Sequence, residues 1–157
     1  MNSAFNFTVI TIYKLFLPKK VSRVLALDFG KKRTGIAVTD ELQLIASGLT
    51  TVETQKLIDF LTDYMERELV SCIVVGEPKQ MNNMPSESEA MIKPLINRLH
   101  KLFPDTRIER QDERFTSKMA VQTMIAGGVK KSKRQNKALV DEISATLILQ
   151  AYLNRMQ

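Results

Sequence analysis

Residues 24–38 read VLALDFGKKRTGIAV, and this stretch decides the fold that we expect. Residues 21–29 alternate as a β-strand does, residues 30–33 (GKKR) interrupt the pattern, and residues 34–39 resume it, which predicts a β-hairpin. Asp28 lies near the end of the first strand among apolar neighbours. A carboxylate in such a place is costly unless it is paired or binds a metal, although a turn aspartate capping the hairpin would also account for it.

The sequence after the hairpin first continues with a strand and then alternates between helical and strand patterns. A third strand is predicted within 42–52, with an irregularity at Ser47-Gly48. After it we expect a helix at about 55–68, a strand at 70–76, a second helix, a strand at 106–111, a helix from Thr116 to about Ala126, and a last helix at about 137–155. The second of these helices should be opened by a Ser86/Glu89 capping box and kinked or delayed by Pro94. Residues 77–85 and the basic segment after Gly127-Gly128 are predicted to be loops. The order β-β-β-α-β-α-β-α-α predicts an α/β fold with a mixed five-stranded sheet and helices on both faces.

The composition indicates one globular domain, which we place at residues 21–157. Residues 1–20 are set apart as an N-terminal extension of uncertain order, too short and too polar to span a bilayer and without the features of a signal peptide. The single cysteine, Cys72, lies in an apolar run and is expected to be a buried core residue. We therefore expect no membrane partner and a reducing compartment.

The positive charge is concentrated in one part of the chain. Residues 107–137 contain nine basic and three acidic residues, an excess of six that equals the formal net charge of the whole chain. Such a basic surface suits a polyanion, and nucleic acid is the first candidate. The densest run is Lys130, Lys131, Lys133 and Arg134, and a solvated charge run is its plainer interpretation.

Three separated carboxylates become informative when they are taken together. Asp28 lies near the end of the first strand, Asp112-Glu113 closes the fifth, and Asp141 lies beside the apolar face of the last helix formed by Val140, Ile143, Leu147 and Ala151. Taken alone, the fifth-strand acids fit a polar strand end and Asp141 fits a solvated helix face. If the helix packs across the sheet, however, the three acids converge and their hard oxygen ligands suit Mg²⁺ or Mn²⁺, with two ions as the expected number.

Basic residues near this cluster are candidates for holding a nucleic-acid backbone. They are Lys31, Lys32 and Arg33 of the first hairpin, Arg114 after the fifth strand, and Lys130, Lys131, Lys133 and Arg134 before the last helix. The scarcity of histidine and cysteine argues against a zinc site or a histidine-dependent nucleophile.

At this point the chain resembles the YqgF (RuvX) family, relatives of Holliday-junction resolvases within the RNase H-like superfamily. The matching blocks are residues 27–38 (LDFGKKRTGIAV), 73–76 (IVVG), 112–117 (DERFTS) and 140–150 (VDEISATLILQ). The resemblance implies a bacterial cytoplasmic nuclease, a monomer or homodimer, that matures the 5′ end of 16S ribosomal RNA on the precursor or the pre-ribosome.

The resemblance also assigns site residues by position. It implies Asp28, one acid of the Asp112-Glu113 pair, and Asp141, as catalytic residues and metal ligands; we favour Glu113 because related resolvases use a glutamate there. Glu77 departs from the family pattern, which commonly has an apolar residue at that position. It is either a fourth acid of the cluster or a surface change, and we favour the latter.

Other functions remain open at this stage. A DNA junction resolvase would need a dimer to cut two strands symmetrically, and a non-catalytic RNA-binding assembly factor would keep the carboxylates without turnover. Asp28-Phe29-Gly30 is also similar to the opening strand of actin-like ATPases. Nucleotide binding is nevertheless disfavoured, because a second phosphate-binding glycine loop is absent and the chain is too short for two such lobes.

Overall fold

The computed structural model describes residues 21–79, 88–114 and 116–156, with the side chain of residue 117 left out. The extension 1–20, Ser86 and most of the loop predicted at 77–85 lie outside these residues. In chain order the elements are β1 (Arg23–Phe29), β2 (Arg33–Thr39), β3 (Ala46–Glu53), a 3-10 turn (Thr54–Lys56), α1 (Leu57–Arg67), β4 (Val70–Glu77), α2 (Glu89–Leu102), β5 (Arg107–Asp112), α3 (Thr116–Ala126), α4 (Lys131–Arg134) and α5 (Lys137–Met156).

The strands form one five-stranded sheet in the order β3-β2-β1-β4-β5. β1, β2 and β3 pair antiparallel as a meander, whereas β4 pairs parallel to β1 and β5 parallel to β4. The predicted mixed sheet is therefore confirmed. Its central strands, β1 and β4, are the most apolar, as expected for strands covered on both faces.

Alternation along the strands sends successive side chains to opposite faces. Leu25 and Leu27 of β1 join the core formed with α1 and α2, whereas Val24 and Ala26 join the core formed with α5. Helices therefore cover both faces of the sheet, as predicted. Cys72 is fully buried on the α5 side, which confirms its expected role as a core residue.

The third strand begins later than the sequence pattern indicated. Leu42, Leu44 and Ile45 lie in an exposed turn, because the Asp40 carboxylate accepts hydrogen bonds from their three backbone N–H groups and holds the chain away from the sheet. The predicted irregularity is confirmed close by: Ala37 pairs with Gly48 and Ile36 with Thr50, which leaves Leu49 as a bulge.

Two local predictions were wrong. α2 begins at Glu89 after Ser88, without a side-chain cap, and the Glu89 carboxylate binds Arg110 instead of forming the predicted capping box. Pro94 lies inside the helix, which excludes one of its two expected effects, a delayed helix start. The basic segment predicted as a loop contains the one-turn helix α4, which is packed against α5.

The buried face of α5 also differs from the prediction. Val140, Ile143, Leu147 and Ala151 are only half-buried, and the fully buried face is formed by Ser144, Ala145, Ile148, Leu149, Tyr152 and Leu153. α5 packs on the sheet and on α3, and it is apolar over much of its circumference, so periodicity alone could not select the face. Asp141 lies one helical turn before this buried face, on the same side of the helix.

Gly35 brings the backbone of α5 against β2. A Cβ atom at Gly35 would overlap the carbonyl group of Asp141, which belongs to the helix backbone and has no freedom to rotate away. One turn earlier, the Thr51 hydroxyl donates a 2.7 Å hydrogen bond to the Ala138 carbonyl and ties the helix to β3. The position of Asp141 over the sheet therefore depends on a glycine 106 residues earlier.

Replacing this glycine should destabilise the fold and displace α5. We expect Gly35→Ala to lower the free energy of unfolding by about 1–3 kcal/mol, the range for overpacking a well-filled interface. Gly48→Ala is the matched control, because the three atoms nearest to its added methyl all belong to the movable Glu142 side chain. Urea titration of both variants measures the difference, and an equal decrease in both would contradict the backbone contact as the cause.

Candidate functional site

The end of β5 places neighbouring acids on opposite faces of the sheet. Arg110 points to the α2 side, where it holds Glu89, whereas Glu109 points to the α5 side and contacts Tyr152. With a period of two, Glu113 falls on the same side as Glu109, and Asp112 falls on the other side. The alternation therefore separates the two candidates that the sequence left together.

Asp28 and Glu113 meet on the α5 face. Their carboxyl groups share a hydrogen bond, and both groups are largely buried. Burial, followed by the negative charge of Asp141, raises the pKa of Asp28 to about 6. Burial, followed by the charge of Asp28, raises the pKa of Glu113 to about 8. Two adjacent buried carboxyls with separated pKa values hold one proton between them at neutral pH.

Gly76 makes room for Glu113. A Cβ atom at Gly76 would overlap Glu113 Oε2, and the next nearest neighbour is the Ile148 side chain of α5. Oε2 is buried and has no hydrogen-bond partner among the described residues. A buried carboxylate oxygen left in this way requires a proton, a water molecule or a cation to compensate it.

Asp112 and Glu77 do not join this pair. Asp112 accepts hydrogen bonds from the Arg114 side chain and backbone, and Glu77 forms a 2.9 Å ion pair with Lys79. The two acids are register partners at the ends of β5 and β4. Glu77 therefore lies at the strand end with its charge matched locally, in agreement with its interpretation as a surface change.

Asp141 lies on the other side of Asp28. Its Oδ2 accepts a 2.9 Å hydrogen bond from Arg33 Nε at the start of β2. Its charge nevertheless reaches Asp28, because it contributes to the raised pKa of that group. The structure thus joins Asp28 with Glu113 and brings Asp141 near them, but Asp141 is engaged by a cation.

A pocket of about 200 Å³ opens at the carboxyl pair. It is lined by Asp28, Pro78, Lys79, Glu113, Arg114, Thr116 and Lys118. Lys79 and Lys118 were not among the candidates from sequence. Their positions in the sequence could have indicated them, because these lysines follow β4 and β5 and the carboxyl ends of parallel strands meet at one edge of the sheet.

The other predicted cations lie outside this lining. Lys31 and Lys32 are exposed at the tip of the β1–β2 hairpin, just after β1 ends at Phe29. Lys130 precedes α4, and Lys131, Lys133 and Arg134 belong to it. Of the predicted cations, Arg114 lines the pocket, Arg33 binds Asp141, and the remaining six do not line it.

The carboxylate oxygens of Asp28 and Glu113 suit a hard divalent cation, provided that a third ligand becomes available. Carboxylate oxygens are the ligands that Mg²⁺ and Mn²⁺ prefer, and the uncompensated Glu113 Oε2 is such an oxygen. Among the residues that the structure describes, no three acids, histidines or cysteines are arranged together to hold an ion. Asp28 and Glu113 would therefore provide two ligands for such an ion, and Asp141 would complete the set on leaving Arg33.

The chain is similar to several curated bacterial proteins. It is 62% identical to a protein of Christiangramia forsetii, over 85% of this chain and 98% of that protein. It is also 62% identical to a protein of Phocaeicola vulgatus and 58% identical to one of Flavobacterium johnsoniae, each covered over 96% of its length. All three carry the name "Putative pre-16S rRNA nuclease".

A solved structure shares the fold. T. thermophilus RuvC in complex with a Holliday junction substrate superposes with a TM-score of 0.51, covering 86% of this chain and 96% of RuvC at 19% identity. At that identity the likeness shows the fold alone, which is the RNase H-like fold. None of the described helices is long and apolar enough to cross a membrane.

The family model RuvX, described as Holliday junction resolvase, matches residues 22–155. That match spans all the described strands and nearly all of α5, and the relatives are matched over almost their whole length. The chain therefore belongs to the RuvX family.

Proposed function

We propose that this protein is a metal-dependent nuclease that hydrolyses a phosphodiester bond in the 5′-end maturation of precursor 16S ribosomal RNA, in the bacterial cytoplasm. The observation that carries the proposal is the buried Asp28–Glu113 carboxyl pair at the floor of a pocket whose other charged lining residues are cations. The names of relatives at 58–62% identity supply the RNA substrate.

The cations of the pocket provide the means of binding a phosphodiester. Lys79, Arg114 and Lys118 offer positive charge beside the two acids, which offsets the repulsion between the carboxylates and a phosphate. Lys79 and Arg114 are each held by an acid of the α2 face, Glu77 and Asp112, so their charges are positioned before substrate arrives. Prepositioned charge avoids reorganisation during the reaction.

The carboxyl pair supplies the reactive end of the pocket. Asp28 and Glu113 share a proton when the site is metal-free, which removes one of the two adjacent negative charges. Mg²⁺ or Mn²⁺, held by Asp28, Glu113 and Asp141, would replace that proton and supply Lewis-acid stabilisation and activation of water. Two ions would fit the general scheme for such hydrolysis, with a monomer sufficient for RNA.

A second candidate is a resolvase of four-way DNA junctions. The description of the family model and the RuvC fold favour it, and it would require two sites related by dimer symmetry. A non-catalytic assembly factor is disfavoured by the buried acid pair, because an RNA-binding surface gains nothing from two buried carboxyls that repel phosphate.

The substrate experiment uses labelled precursor 16S RNA and a four-way DNA junction side by side, each with Mg²⁺, Mn²⁺ or EDTA. We expect metal-dependent cleavage of the RNA and none of the junction. Symmetric cutting of the junction would establish the resolvase instead, and binding of RNA without cleavage, on naked RNA and on the pre-ribosomal particle, would establish the assembly factor.

The same assay identifies the acids. Asp28→Asn, Glu113→Gln and Asp141→Asn should each reduce cleavage by at least about 100-fold while RNA binding is kept or strengthened, because a negative charge near the phosphate is removed. Asp112→Asn is the matched comparison one residue away on the other face. Because Asp112 holds Arg114, this variant should bind RNA more weakly, but its cleavage rate at saturating RNA should remain within a few-fold of wild type. Loss of cleavage in Asp112→Asn with activity retained in Glu113→Gln would reverse the assignment.

Metal affinity should increase with pH. The pKa values of about 6 for Asp28 and about 8 for Glu113 mean that the neutral forms, which cannot ligate, predominate at low pH. Mn²⁺ binding at pH 7 should release about one proton, and the affinity should increase from pH 6 to pH 8 and level off above. Calorimetry in buffers of different ionisation enthalpy measures both, and a pH-independent affinity without proton release would refute a buried acid pair as the ligands.

The basic segment should set the salt dependence of RNA binding. Replacing Lys130, Lys131, Lys133 and Arg134 by Ala should weaken binding and lower the slope of log K against log salt, by roughly 0.7 for each phosphate that is no longer neutralised. The matched control removes four exposed charges from the other face, at Arg67, Lys93, Arg98 and Lys101. If the control changes the slope as much as the test variant, the substrate path lies elsewhere.

A further inference from the structure

Arg33 is bound to the acid that the proposed metal site still needs. Its Nε donates a 2.9 Å hydrogen bond to Asp141 Oδ2, and the side chains remain 37% and 24% exposed. Side chains alternate along β2, so Arg33 lies on the same face of the sheet as Gly35, two residues before the point where β2 contacts α5. The ion pair is therefore accessible to an incoming phosphate from solvent.

The backbone around Asp141 is fixed, so its carboxylate can change partners only by side-chain rotation. Gly35 lies against the Asp141 carbonyl, the Thr51 hydroxyl holds the Ala138 carbonyl, and the Asn136 side chain caps the Ala138 N–H. Asp141 is also close enough to Asp28 to affect it electrostatically. The carboxylate thus lies between two partners, a guanidinium and an acid pair.

Guanidinium groups bind phosphates with two parallel hydrogen bonds and bind carboxylates in the same way. A phosphodiester therefore competes with Asp141 for Arg33. A divalent cation at the acid pair competes with Arg33 for Asp141. A bound phosphodiester therefore releases Asp141 for the cation, and a bound cation releases Arg33 for the phosphodiester.

We propose that Arg33 is a latch on Asp141, which keeps this carboxylate from the Asp28–Glu113 pair until a phosphodiester engages the guanidinium. Metal binding and nucleic-acid binding then favour each other, since a coupling between two sites is reciprocal. The three-acid site is assembled on substrate and is incomplete without it, which limits metal loading in free protein. This inference rests on the proposed function, and it assigns Arg33 as a positioning residue.

The test measures metal binding rather than cleavage. Mn²⁺ affinity of the free protein is determined by calorimetry and by the paramagnetic resonance signal of unbound Mn²⁺. Arg33→Ala should bind Mn²⁺ at least about threefold more tightly than wild type, because Asp141 is freed. Arg98→Ala removes the same group from an exposed position on α2 and should match wild type. In an Asp141→Asn background, Arg33→Ala should give no tightening.

Coupling is measured with a 2′-O-methyl RNA oligonucleotide, which binds as a phosphodiester and resists cleavage. Wild type should bind it more tightly with Mn²⁺ than with EDTA, and Arg33→Ala should lose most of that difference. Unchanged or weaker Mn²⁺ binding by a folded Arg33→Ala variant, judged by thermal melting, would overturn the latch and leave a structural ion pair. Wild-type cleavage of precursor RNA judges the proposed function separately, so the two failures are distinguishable.

Discussion

The close contact between α5 and β2 at Gly35 is the constraint on which the site depends. A helix normally stands off a sheet by the length of its side chains, but here a residue without a side chain allows backbone to meet backbone. The N-terminal turns of α5 are thereby held over the end of β1, with the Thr51–Ala138 hydrogen bond as a second attachment. Because Asp28 is the register partner of Gly35, this approach brings Asp141 near Asp28.

The Asp28–Glu113 pair destabilises the fold locally, and the rest of the structure holds the two acids together. Two buried carboxyls repel each other when ionised, and the structure accommodates them as a partly protonated pair whose pKa values are raised. Gly76 gives Glu113 its place, and Ile148 of α5 closes the other side. Such an arrangement contributes little to stability, and in the proposed function a bound cation would supply the missing positive charge.

The charged residues in and around the pocket form ion pairs, and each pair lies on one face of the sheet. On the α2 face, Glu77 and Asp112 hold Lys79 and Arg114 near the rim, and Glu89 holds Arg110. On the α5 face, Arg33 holds Asp141. In the proposed function, Glu77 and Asp112 position two cations for the substrate, whereas Arg33 occupies a carboxylate that would bind the metal. Strand alternation assigns the members that lie in strands: Glu77, Arg110 and Asp112 to the α2 face and Arg33 to the α5 face.

The sequence by itself determined the elements other than α4, their order and the mixed sheet, because hydrophobic period and turn residues are local properties. It also singled out the three acids as candidates. Strand alternation even separated Glu113 from Asp112 once the register of β5 was known. The tertiary structure decided which face of α5 is buried, that Lys79 and Lys118 line the pocket, and that Arg33 binds an acid 108 residues away. These facts depend on distances between side chains of remote segments, and the local pattern of a sequence does not encode such distances.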